Sequence, residues 1–404
     1  YSSISGGLQN TLSDSSCYST ISSGKNNTLF DSSCYSSISS GGENTLFDSS
    51  SYSTISSGKN NRLTSSCYST ISGGKCNELT SSNISHISGG QSNTSDSTYI
   101  SSILGGNYNT LTSSNFSNIS SGVKNTILNF TSYSSISGGY CNTLSDSVSN
   151  SSISSGKLNI INNSSANSTI SGGYGNIIKS SSSSISGGYC NTIGENNVES
   201  SISGGQRNTI SNYSGLSTIS SGYGNTINDN SGNSSITGGY SNTISCNSGF
   251  SSITGGCSNI ITNTTPIPSL VSSITGGNNI LIDSSTFSWV GSGKENTIGN
   301  VSGSSTITGG VSNKVLDNSE LTSISGGLQN TIINNSQYSS ITGGCNNKLI
   351  DYSCFSSILG GSLNNIDCSS YSLIPFGQQN KIETSEYSSV SGKYSTIDDS
   401  DYSI

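Results

Sequence analysis

An aliphatic residue returns along this chain at a usual spacing of 16 or 17 residues, set in the phrase Ser-x-Ile-Ser-Gly-Gly-x-x-Asn-Thr-Ile. That repeat constrains the fold more than any single motif. With this residue as position 0, the anchors run Ile4, Ile21, Ile38, Ile55, Ile71 and onward to Val390, 24 coils in all. Gly stands at +3 in 23 coils, as Gly7, Gly24 and Gly41, with Lys393 the exception. Asn stands at +6 in 22 coils, as Asn10, Asn27 and Asn44, with Ile280 and Thr396 the exceptions. Position +8 is usually a second aliphatic residue (Leu12, Leu29, Leu46), and −2 is Ser except at Thr322. The step from 0 to +8 is fixed, whereas the return to the next anchor varies from 7 to 13 residues. One half of each coil therefore reads as two short strands around a Gly turn, and the other as a surface loop that tolerates length changes. The longest loop, 262–271, holds Pro266 and Pro268 and reads as a bulge.

A unit with two inward aliphatics cannot bury its own apolar face, but stacked copies turn each position into a continuous ladder. Helices are disfavoured, because Gly, Ser, Thr and Asn are poor residues for a helix interior. Only 29% of the 404 residues are hydrophobic and 8% charged, a composition that without the period would read as disordered. The expectation is all-β: one parallel β-solenoid of about 24 coils over 1–404, ending in an acidic stretch at 383–404. At about 4.8 Å per coil this makes a rod of roughly 110–115 Å. Gly at +3 suits a turn with positive φ, and Asn at +6 suits an amide ladder bonding backbone or its own copy one coil away.

A core this thin favours association. Position −3 sharpens the point, being aromatic in 13 coils, among them Tyr1, Tyr18, Tyr35, Tyr52, Tyr68, Tyr338, Phe355, Tyr371 and Tyr387. Such a rail is either a corner ladder of stacked rings or an inter-chain seam.

Segments such as Tyr68 to Gly74 with Asn77, or Ser200 to Ile210, resemble the head repeats of trimeric autotransporter adhesins. The resemblance covers essentially the whole chain. It implies a parallel β-roll that trimerises at a bacterial surface. The period here is longer than that family's, and aromatic residues replace small ones on one rail. A lesser likeness, to ice-nucleation repeats, touches Tyr174-Gly175-Asn176 and Tyr223-Gly224-Asn225.

A net charge of −8 without a basic stripe argues against nucleic acid, and no apolar run is long enough to span a bilayer. The single histidine, His86, sits beside an anchor and reads as a ladder substitution; Trp289 shares that slot. The acids are scattered. Asp14, Asp31 and Asp48 stack in early loops, where an adventitious cation is conceivable, and no catalytic pair is placed. No cofactor, metal or catalytic set is therefore expected. Cys17, Cys34 and Cys67 share position −4, with Cys17 and Cys34 on adjacent coils, slightly too far apart for an unstrained disulfide. Cys345, Cys354 and Cys368 fall close enough for a bridge, and sequons such as Asn83-Ile84-Ser85 are numerous. Positions −1 and +1, mostly Ser or Thr, form an outward hydroxyl array that also suits an ice-binding face (Thr70/Ser72, Thr218/Ser220, Thr306/Thr308).

The chain opens in mid-pattern at Tyr1 without Met and closes on Tyr402-Ser403-Ile404, so it reads as processed or part of a longer shaft, or as a unit that stacks head to tail. These features together predict a non-enzymatic structural protein of an extracellular, cell-surface or virion-surface fibre, partnered by itself. A trimeric adhesin head with a surface or host ligand is the first alternative and an ice-binding solenoid the second.

Overall fold

In each 17-residue coil the backbone turns at left-handed residues, and most of them are not glycine. The computed structural model describes residues 1–13, 15–265 and 271–404. Asp14 and most of the expected bulge, 266–270, lie outside the described residues. The fold is all-β, a parallel β-solenoid with no helix among the described residues, and it divides into two units, 1–195 and 196–404.

Within each unit a coil contributes a strand at positions −1 and 0, such as Thr20–Ile21, and another starting at +7, such as Thr28–Leu29. Both pair in parallel with the same positions of the next coil. Thr20 opposes Ser37 and Ile21 opposes Ile38, while Thr28 opposes Thr45 and Leu29 opposes Leu46. The second unit repeats the pattern, with Ile219 on Ile236 and Ile227 on Ile244.

Left-handed φ marks +3, +5 and −3 in every regular coil, as at Gly24 (104°), Asn26 (57°) and Tyr35 (56°). At +5 and −3 this reverses the direction in which the backbone N–H points. Extended residues donate to the following coil, as Thr20 N–H to Ser36 O (3.0 Å) and Lys25 N–H to Gly41 O (2.9 Å). The left-handed residues at +5 and −3 donate to the preceding one, as Asn26 to Leu8 O (2.9 Å) and Tyr35 to Cys17 O (2.8 Å). Bonding in both directions offsets the cost of about 1–2 kcal/mol that an L-residue bears in this region.

Coil length has a simple structural origin at the remaining corner, after +8. Most coils of 17 residues carry two left-handed residues there, as Asp31 and Ser32, Asn129 and Phe130, and Asn334 and Asn335. Coils of 16 carry one (Ser65, Ser81, Ser113, Cys368). The 15-residue coil between Ile170 and Ile185 carries none at that corner.

The interior holds more polar atoms than the repeat implies. Besides the anchor and +8 columns, buried to 0% exposure at Ile21, Leu29, Ile38 and Leu46, it contains the −2 serines and the +6 asparagines. It also contains a hydroxyl column at −5 (Ser33, Ser50, Ser66, Ser82), residues that the sequence reading assigns to the variable loop. Only the stretch between +8 and −5 varies in length. Ile4, in the first coil, is 45% exposed, although it belongs to the anchor column.

The last coil corrects one register. Gly392, not Lys393, pairs with Gly377, and Ser395 N–H donates to Asn380 Oδ1 (3.1 Å). One residue is missing after Val390, so the Gly slot is filled and Ser395, rather than Thr396, takes the Asn slot.

Candidate functional site

The inner ladders fix where the outer faces lie. Gly at +3 is sterically compelled: a Cβ on Gly24 would sit 2.1 Å from Gly41 O and 2.4 Å from Asn27 Nδ2. Into that space Asn27 donates to Ser23 O (3.2 Å) and Gly41 O (3.0 Å), while its Oδ1 accepts from Asn44 N–H (3.0 Å). Asn10 starts the column by donating to Gly6 O and Gly24 O. Gly7 holds the same left-handed turn at φ 95°, and Gly41 does so at 99°. The −2 hydroxyls run a second ladder, Ser36 N–H to Ser19 Oγ (3.1 Å) and Ser19 Oγ to Ser33 O (2.7 Å), so this column bonds within the chain.

Outside, the −3 rail is a row of parallel rings. Tyr18, Tyr35, Tyr52 and Tyr68 stack at 4.8–5.0 Å within 8° of coplanar, and Tyr1 is tilted against Tyr18 at 5.9 Å. In the second unit Tyr338, Phe355, Tyr371, Tyr387 and Tyr402 continue similarly at 4.7–5.0 Å. The inner rings cover their neighbours yet leave about half their surface open, 51% for Tyr35 and 49% for Tyr371.

A second aromatic column, absent from the sequence reading, stands at +4. Tyr174 stacks on Tyr189 (5.0 Å) and Tyr223 on Tyr240 (5.1 Å), with Lys157 Nζ over Tyr140 (5.3 Å) and Tyr174 (5.6 Å). These positions take over where the −3 rail turns polar. A threonine column at +7 was also missed (Thr94, Thr110, Thr126, Thr143), although its signal, the Thr of Asn-Thr-Ile, stands in the repeat phrase itself. The hydroxyls flanking the anchor face outward as expected and in places bond each other between coils, as Ser340 with Ser357 (3.0 Å).

The singular residues take ladder positions. His86 is paired between Thr70 and Ser102, its Nε2 2.8 Å from Ser88 Oγ, and partial burial lowers its pKa. Trp289 donates through Nε1 to Thr275 Oγ1 (3.0 Å) and lies over Gly291, which has no side chain to obstruct it. Asp31 and Asp48 line a shallow groove with Ser32, Ser49 and Cys67. Elsewhere on that corner carboxylates alternate with amides: Asn300 donates to Asp317 (2.6 Å) and Asn334 to Asp351 (2.6 Å). Ligand atoms of Asp351, Asp367 and Cys368 lie within 4.8 Å of one another, and burial, then the neighbouring acids, pushes the Asp367 carboxyl up. All eleven cysteines are free, so Cys345, Cys354 and Cys368 make no bridge.

No helix among the described residues is long and apolar enough to cross a membrane. No protein-family model and no curated protein matches the chain.

Proposed function

We propose that this chain is a non-enzymatic structural protein, the stiff element of a fibre at an extracellular, cell or virion surface. One observation carries the reading. In the repeating core the amide and hydroxyl columns bond from coil to coil, so bending or separating coils breaks polar ladders in a buried interior (Asn27 to Gly41, Ser36 to Ser19). The half-open ring rows offer lateral contact to another copy.

Negative-stain electron microscopy paired with mass by light scattering tests it. Filaments containing many chains are expected. Discrete particles of trimer mass would overturn the fibre and favour an adhesin head, the arrangement implied by the resemblance to autotransporter repeats. The outward hydroxyls beside the anchors support a second reading, binding to ice. Along the strand they are spaced by about 6.6 Å and across coils by about 4.8 Å. Thermal hysteresis of the purified chain would establish that reading, and its absence would exclude it.

A further inference from the structure

We propose that Cys17 and Cys34 form a thiol pair set for oxidation to an intrachain disulfide that staples two successive coils. Both occupy position −4, each directly before a left-handed tyrosine, Tyr18 (φ 55°) or Tyr35 (φ 56°). Each N–H turns back to the carbonyl two residues earlier, Cys17 to Ser15 O (3.0 Å) and Cys34 to Ser32 O (2.9 Å). The two backbones thus repeat each other one coil apart, about 4.8 Å, within the ~4.4–6.8 Å Cα separation of natural disulfides.

The side chains already converge. Cys17 N–H also donates to Cys34 Sγ at 3.2 Å, and both thiols donate to one acceptor, Ser15 O, each at 3.4 Å. A hydrogen bond with the Cys34 side chain, and then its charge, raise the Cys17 pKa. Cys17 is exposed and Cys34 half-buried, so a small reagent can reach them. Parallel Cβ atoms must draw together by a few tenths of an ångström to reach the ~3.5–4.5 Å of a closed bridge. No other cysteine pair shares a rail on successive coils.

The co-reactant is a small-molecule disulfide such as oxidised glutathione. One cysteine thiolate attacks its S–S bond, expelling a glutathione thiolate and leaving a mixed disulfide. The second cysteine thiolate attacks the protein-side sulfur and expels the other. Two protein thiols are oxidised, one small disulfide is reduced to two thiols, and the two cysteine protons pass to the leaving groups.

The test treats the full native chain with oxidised glutathione and maps its tryptic peptides by mass spectrometry without reduction. Lys25 lies between the two cysteines, so a bridge joins two separate peptides. The expected result is a Cys17–Cys34 linked peptide within one chain, with neither residue left as a free thiol or carrying glutathione. Cys67, on the same rail but with Ser51 in the intervening coil, keeps its adduct, as does Cys17 in the Cys34→Ser variant. Glutathione persisting on Cys17 or Cys34 of the unaltered chain, a link between chains, or both thiols left free would overturn the proposal.

Discussion

Two adjacent glycines in one turn have opposite tolerances. A Cβ on Gly256 would lie 2.2 Å from Gly277 O and 2.4 Å from Asn259 Nδ2, at φ 91°, whereas one on Gly255 meets nothing within 4 Å. Gly256→Ala should cost more than about 4 kcal/mol or abolish folding, and Gly255→Ala should change stability by less than about 0.5 kcal/mol, as urea denaturation will measure. The buried amide is nearly as exacting. Asn142 donates to Gly138 O and Gly156 O and accepts from Asn159 N–H. Asn142→Ala strands all three groups and should cost about 2–4 kcal/mol in the same measurement. The Gly and Asn columns could be read from recurrence alone, because few other residues fit those sites. The −5 serines could not. A buried Ser looks like a surface Ser in a chain full of them, and the variable spacing after +8 hides its period.

At the scale of the element, length is set by the count of left-handed residues at one corner. An asparagine inserted after Ser65 converts a 16-residue coil into the 17-residue type and should cost under about 1 kcal/mol. The same insertion after Gly90 displaces Asn93 and its bonds to Gly89 O and Gly106 O, and should destabilise by several times as much, as paired melting curves will show. The sequence marks this division between rigid and adjustable halves but ends the adjustable half at the anchor, five residues too late. It also signals the −3 rail, while the +4 column of Tyr174, Tyr189, Tyr223 and Tyr240 escaped because it interrupts itself with Lys157 and Gln206.

At the scale of the whole molecule, charge contributes little. The ion pairs Lys59–Glu43 (3.6 Å), Arg62–Glu78 (3.8 Å) and Lys294–Glu295 (3.3 Å) are all substantially solvent-exposed. Such pairs contribute about 0–1 kcal/mol and are screened by salt. Raising sodium chloride to about 1 M should therefore leave the thermal midpoint within about 3 °C, whereas a larger fall would mean that electrostatics hold the coils together. The partnering of coils also bears on inheritance. A ladder joins each position to its own copy in the next coil, so excising residues 136–152 from the first unit would leave Ser135 followed by Ile153, with the repeat phrase intact across the join. Unequal recombination between neighbouring repeats of a gene makes this cut. Variants shorter or longer by whole coils keep every column in register, while a partial-coil cut does so only where it falls in the adjustable stretch between +8 and −5.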